Sequence, residues 1–106
     1  MAGADNRRAP RVPLDVRVNF AFDAIAHTKD ISEGGVCIIS EEPLEEGKFL
    51  NLVFGLPDRD HDVQVIGKVM WAKKSTENFY ENGVQFWDIS DEAQKEIKDY
   101  LRRNAI

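Results

Sequence analysis

Asp30-Ile31-Ser32-Glu33-Gly34-Gly35 packs a carboxylate, a hydroxyl and two adjacent glycines into six residues, between two strand-like runs. A carboxylate accepts several hydrogen bonds at once, and a hydroxyl donates or accepts. Glycine lets backbone N–H groups approach a ligand closely and permits positive φ. Successive N–H groups in such a turn can form an anion-binding concavity. Glu33 argues against a pure phosphate cradle, because its charge repels phosphate, and Asp30 likewise suits a donor-rich partner. A tight hairpin with no further role is the ordinary reading of such a turn.

The runs on either side decide the fold class. Upstream, Val12, Leu14, Val16, Val18, Phe20 and Phe22 alternate with Asp15, Arg17 and Asn19, the period of a half-buried strand. Asp23 and Ala24 suit a turn, and Ile25–Asp30 returns as a second strand. Downstream, Val36–Ile39 makes a third strand. Phe49–Leu56 is the fourth, with Leu50, Leu52, Phe54 and Leu56 on one face. Val63–Lys74 is the fifth, with Val63, Val65, Val69 and Trp71 on one side and Gly67 as a bulge or bend. Phe79–Ile89 is the sixth, centred on Val84 and Phe86. Ser90 is an N-cap with Asp91 and Glu92 in the first turn. Ala93, Ile97, Tyr100 and Leu101 then form one apolar stripe, and Arg102 and Arg103 close the last turn, so residues 90–104 read as an amphipathic helix. Six short strands followed by one helix predict an all-β chain, a six-stranded antiparallel β-barrel with a C-terminal α-helix.

Composition sets limits on function. The chain has 106 residues, the size of one domain, with 42% hydrophobic and 31% charged residues. No apolar run approaches a membrane span, and the N-terminus lacks the apolar core of a signal peptide. The lone Cys37 excludes an internal disulfide and fits a cytoplasmic protein, as a small buried residue in a strand. A net charge of −5 argues against non-specific DNA or RNA binding. The charge is uneven: residues 1–17 carry four arginines against Asp5 and Asp15, while the remainder is acidic.

Three of those arginines stand in Asn6-Arg7-Arg8-Ala9-Pro10-Arg11. Pro10 disfavours helix at Ala9, so the segment reads as extended or as a turn and can wrap a ligand. Guanidinium groups grip phosphate bidentately, pair with guanine O6 and N7, and stack on flat rings. Arginines beside a carboxylate and a hydroxyl match a ligand with both phosphates and a base edge. The isolated His27 and the acidic loop around His61 lack the spacing of a metal or calcium site, and no nucleophile–base spacing supports catalysis. The chain therefore reads as a binding protein rather than an enzyme, with no cofactor.

Together the two stretches resemble the PilZ domain, a bacterial receptor for cyclic di-GMP, whose signature is R-x-x-x-R followed by [D/N]-x-S-x-x-G. Here these are Arg7 and Arg11, then Asp30, Ser32 and Gly35, with a gap slightly shorter than the family's usual one. Gly67-Lys68-Val69-Met70-Trp71 and Gly83-Val84-Gln85-Phe86 extend the likeness. The resemblance implies the same six-stranded barrel of split-barrel type. It implies that Arg7 and Arg11 clamp phosphates and guanine faces, with Arg8 in support. Asp30 would accept from the guanine N1–H and N2–H₂ edge, and Ser32 would bond a phosphate or base. Gly34 and Gly35 would admit the backbone, Trp71 would pack beside the nucleotide or simply form barrel wall, and Glu33 would face solvent. It further implies a signalling effector for an unidentified downstream protein, with residues 1–11 a flexible arm ordered by ligand and residues 12–106 the barrel. A degenerate interaction module that binds no nucleotide is the alternative.

Overall fold

A computed structural model of the chain describes residues 11–20, 25–57 and 59–104. The strands are β1 (Val12–Pro13), β2 (Arg17–Asn19), β3 (Ile25–Ile31), β4 (Gly35–Ser40), β5 (Phe49–Gly55), β6 (Asp62–Lys74) and β7 (Tyr80–Asp88), followed by helix α1 (Asp91–Asn104). Every pairing is antiparallel. β2, β3, β4, β7, β6 and β5 close into a six-stranded barrel through the β2–β5 pair, and β1 adds to β3 as an extra strand. Closure removes the exposed edges that an open sheet of this size would leave.

The first strand expected from the alternation is broken in two. Val12, Leu14 and Val18 are buried as the period requires, but the ladder lapses between Pro13 and Arg17. Thr28 fills the gap. Its hydroxyl donates to the Leu14 carbonyl and accepts from Val16 N–H at 3.0 Å, beside two backbone bonds, Leu14 N–H to Lys29 O at 3.0 Å and Thr28 N–H to Val16 O at 2.9 Å.

The core is the inward face of the ring. Val18, Ile31, Val36, Ile38, Leu52, Phe54, Leu56, Val65, Val69 and Val84 are almost fully buried. Burying one such side chain is worth about 1.5–3 kcal/mol, so this face fixes strand register. Asn82 is a fully buried polar exception. It donates to Ile38 O at 3.0 Å and Ser40 Oγ at 2.9 Å, and accepts from Leu44 N–H at 2.9 Å.

Ser90 caps α1, accepting from Ala93 N–H at 3.1 Å. The helix buries Ala93, Ile97 and Tyr100. Its outer groups tie it to three loops or strands: Tyr100 Oη donates to Pro13 O at 3.2 Å, Lys98 meets Glu33 at 3.2 Å, and Asp99 and Glu96 meet Arg59 and His61. No described helix is long and apolar enough to cross a membrane.

Three register slips shape the outer surface of the barrel. Lys29 is an extra residue on β3 against β4, Met70 on β6 against β7, and Trp87 on β7 against β6. Each bulge shifts the in–out alternation by one and re-aims the side chains beside it.

Candidate functional site

The β3–β4 hairpin is built by its own backbone. Ser32 N–H donates to Gly35 O at 2.8 Å, and Phe86 N–H donates to Gly34 O at 2.8 Å. Gly47 is the one residue with positive φ among those described, so neither motif glycine is there for a left-handed backbone. Gly35 is required by closeness, because a Cβ there would overlap the Val84 carbonyl oxygen. Gly34 has open space where a Cβ would stand.

Arg11 enters this hairpin from the start of β1. Its Nε donates to Asp30 Oδ1 at 2.7 Å, and its Nη1 donates to Ser32 Oγ at 3.3 Å. Pro13 pairs with Asp30 across the β1–β3 ladder, which carries the chain past the carboxylate. The Lys29 bulge puts both Lys29 and Asp30 on the outside of the barrel. Lys29 Nζ reaches Glu81 at 3.0 Å across β4, while Thr28 stays buried. The bond to Glu81 raises the Lys29 pKa above its ordinary value, and the bonds to Lys29 and Ser75 lower that of Glu81.

Asp30, Cys37, Gly83 and Trp71 stand in one row across β3, β4, β7 and β6. Strands are spaced about 4.8 Å apart, so Asp30 and Trp71 bracket a strip on the order of 14 Å wide. Cys37 lies between Val36 and Ile38 but outside the core cluster they belong to, so it forms the floor of this strip. Burial pushes its thiol pKa up, and the nearby Asp30 carboxylate adds to the shift.

Trp71 corrects one sequence expectation. Alternation from Val69 placed its ring on the same side as Val63 and Val65. The Met70 bulge turns it to the outer face, 40% exposed, where the indole lies flat over Gly83 with Lys73 Nζ 5.6 Å from its ring centroid. A Cβ at residue 83 would overlap the indole, so Gly83 is what lets the ring lie down. Gly83 joins the site for a reason that no local sequence signal carries.

The structure thus brings together Arg11, Asp30, Ser32, Gly34 and Gly35, with Trp71 at the far side of the same outer surface. Arg7 and Arg8 lie outside the described residues, as does the rest of the expected arm before Arg11. Glu33 is exposed, as expected, and is also paired with Lys98. Two concavities lie elsewhere. One of about 480 Å³ runs between β6 and α1 beside His61, Asp88, Glu92 and Glu96, and another of about 630 Å³ is lined by Glu41, Glu42 and Glu77. Their carboxylates repel phosphate, so they compete poorly for a dianionic ligand. Among the described residues no three His, Cys, Asp or Glu are placed to hold a metal ion.

The family model for the PilZ domain matches residues 5–103. The chain belongs to the PilZ family. Among solved structures, the PilZ chain resembles the Bacillus subtilis inhibitor of motility MotI/DgrA with a TM-score of 0.80 at 18% identity, over 92% of this chain and 49% of that one. It resembles the K. pneumonia MrkH–c-di-GMP complex with a TM-score of 0.75 at 22% identity, over 92% and 50%. It also resembles the PilZ domain of Escherichia coli YcgR with c-di-GMP, with a TM-score of 0.73 at 12% identity, over 92% and 90%. At these identities the likeness is one of fold. The chain spans about half the length of MotI/DgrA and MrkH. No curated protein sequence matches it.

Proposed function

We propose that this PilZ domain binds cyclic di-GMP on the outer surface between Asp30 and Trp71, and acts as a signalling effector without catalysing a reaction. The observation that carries this reading is the convergence of Arg11, Asp30 and Ser32 at one hairpin. A carboxylate offers about four lone-pair sites. Asp30 can therefore hold Arg11 and still accept from the N1–H and N2–H₂ edge of a guanine, which adenine does not present. Arg11, with Arg7 and Arg8 upstream, supplies the guanidinium groups for two phosphates. Ser32 offers a hydroxyl, Gly34 leaves the turn unshielded, and Trp71 offers a ring face to a base.

The c-di-GMP complexes of MrkH and YcgR support the ligand class by kinship of fold. In this reading the ligand draws the arm of residues 1–11 onto the barrel and changes the surface shown to a downstream protein, a switch by ordering. Isothermal titration calorimetry tests it. Cyclic di-GMP should bind, while cyclic di-AMP and GTP should bind at least roughly tenfold more weakly, a difference of about 1.4 kcal/mol. Equal heats for the guanine and adenine dinucleotides would defeat the assignment of Asp30.

A further inference from the structure

The outward side chains of β5, β6 and β7 include a second surface that the ligand site does not use. Phe49 is 50% exposed and Trp87 57%, and their rings meet edge to face with centroids 5.3 Å apart. Lys68 Nζ lies 5.8 Å from the Phe49 centroid and 5.1 Å from that of Trp87. Ile66 and Met70, also exposed, flank Lys68 along β6. Phe49 and Lys68 are ladder partners, and the bulge at Trp87 turns that indole outward beside them. An aromatic side chain carries about 150–250 Å² of surface, of which about half stays in water at Phe49 and Trp87, so the two rings leave roughly 200 Å² exposed, with Ile66 and Met70 adding to it.

We propose that this face docks a short segment of a partner protein carrying apolar side chains around a carboxylate. Three observations choose that occupant. The exposed side chains offer a short segment two or three anchors across β5, β6 and β7. Lys68 sits at the centre of the cluster, so a second copy across a two-fold axis there would bring two ammonium groups face to face. A carboxylate from a partner instead meets Lys68 where two rings already lower its exposure to water. An anionic bilayer is disfavoured by the chain's net charge of −5.

The face is also continuous with the ligand strip. Phe49, Lys68, Gln85 and Gly35 form one row, and Met70 precedes Trp71. A docked segment would therefore lie beside the nucleotide surface without covering Asp30. The docking surface does not depend on the ligand assignment.

Phage-displayed random peptides of about twelve residues, panned on the intact protein with a Phe49→Ser/Trp87→Ser variant as counter-target, test the proposal. Enriched peptides should combine aromatic or aliphatic residues with Asp or Glu. A synthetic winner should lose roughly tenfold in affinity against Phe49→Ser or Trp87→Ser alone. Lys68→Glu should weaken it, and should recover binding when the peptide acid is changed to lysine. Unchanged melting curves and unchanged cyclic di-GMP titrations of the variants separate lost docking from lost folding or ligand binding. Failure to enrich any peptide, or winners indifferent to these substitutions, overturns the proposal. So does a wild-type dimer in sedimentation that Trp87→Ser dissociates, or Trp87-dependent binding to phosphatidylglycerol vesicles.

Discussion

Arg11 Nε donates to Asp30 Oδ1 at 2.7 Å, and Nη1 of the same guanidinium donates to Ser32 Oγ at 3.3 Å. The arginine's side chain is about half exposed and the aspartate's about a quarter. An exposed ion pair contributes about 0–1 kcal/mol to stability. This pair therefore does more to place the carboxylate than to hold the barrel together.

Asp30→Ala should abolish measurable cyclic di-GMP binding while leaving the melting temperature nearly unchanged. Truncating one partner of a desolvated charge pair in a complex costs about 2–5 kcal/mol, enough to lose a micromolar ligand. Calorimetry and a thermal melt on the same sample check it. A collapsed melt would make Asp30 structural.

The two motif glycines should behave oppositely. Gly35→Ala forces a Cβ against the Val84 carbonyl and should destabilise the β4–β7 ladder by about 1–3 kcal/mol. Gly34→Ala meets no neighbour within 4 Å and should unfold at nearly the wild-type denaturant midpoint. Urea titration of both variants distinguishes them.

Gly83→Ala should lift the Trp71 indole rather than unfold the barrel, since the overlapping atoms belong to a side chain that can turn. In a Trp87→Phe background, which leaves Trp71 as the sole tryptophan, the emission should change. Cyclic di-GMP affinity should fall several-fold. Unaltered emission would mean that the ring does not rest on Gly83 in solution.

His61 links the β5–β6 loop to α1, with Nε2 2.8 Å from Glu96 Oε2 and Nδ1 3.2 Å from Asp60 Oδ1. The Glu96 bond, then the Asp60 bond, raises the His61 pKa in the folded state. Its stabilisation is thus fully present below the unfolded value of about 6.5 and is lost as pH rises through the folded pKa. Wild type should lose stability relative to His61→Gln over that interval, by a small amount that salt reduces further. On the acid side, Asp60, Glu81 and Asp99 have lowered pKa values, held down first by His61, Lys29 and Arg102 respectively. Their contribution is present above the unfolded carboxylate range and is lost as pH falls through the lowered values. Urea midpoints across pH read both limbs.

The alternation of Val12, Leu14 and Val18, of Leu50, Leu52 and Phe54, and of Val63 and Val65 was enough to read an all-β chain, because one buried face imposes period two. The motif singled out Arg11, Asp30 and Ser32, but the direct bonds from Arg11 to the other two were not among its implications. What stayed hidden was register. Nothing local in Val69-Met70-Trp71 says that Met70 is an extra residue, because a bulge is defined by the partner strand. Trp71 was therefore read on the wrong side. The Phe49–Lys68–Trp87 cluster was missed for the same reason, since it joins three strands. Its local signal was a ring at Phe49 opposite in phase to Leu50 and Leu52. The hydroxyl that bridges the break between β1 and β2 comes from Thr28, which no pattern within residues 12–22 contains.

The bulges at Lys29 and Met70 each set two successive side chains on the outer face, Lys29 with Asp30 and Met70 with Trp71. Many replacements at residue 70 keep the count, and so keep Trp71 outside. Losing that one codon would restore an even ladder in which Trp71 directly follows the inward Val69 and still faces outward opposite Gly83, without Met70 beside it. Loss of codon 29 would likewise leave Asp30 outward, opposite Cys37, and would remove the Lys29 link to Glu81. Each extra residue therefore enlarges the outer surface while the inward alternation of Thr28 and Ile31, and of Val65 and Val69, is kept.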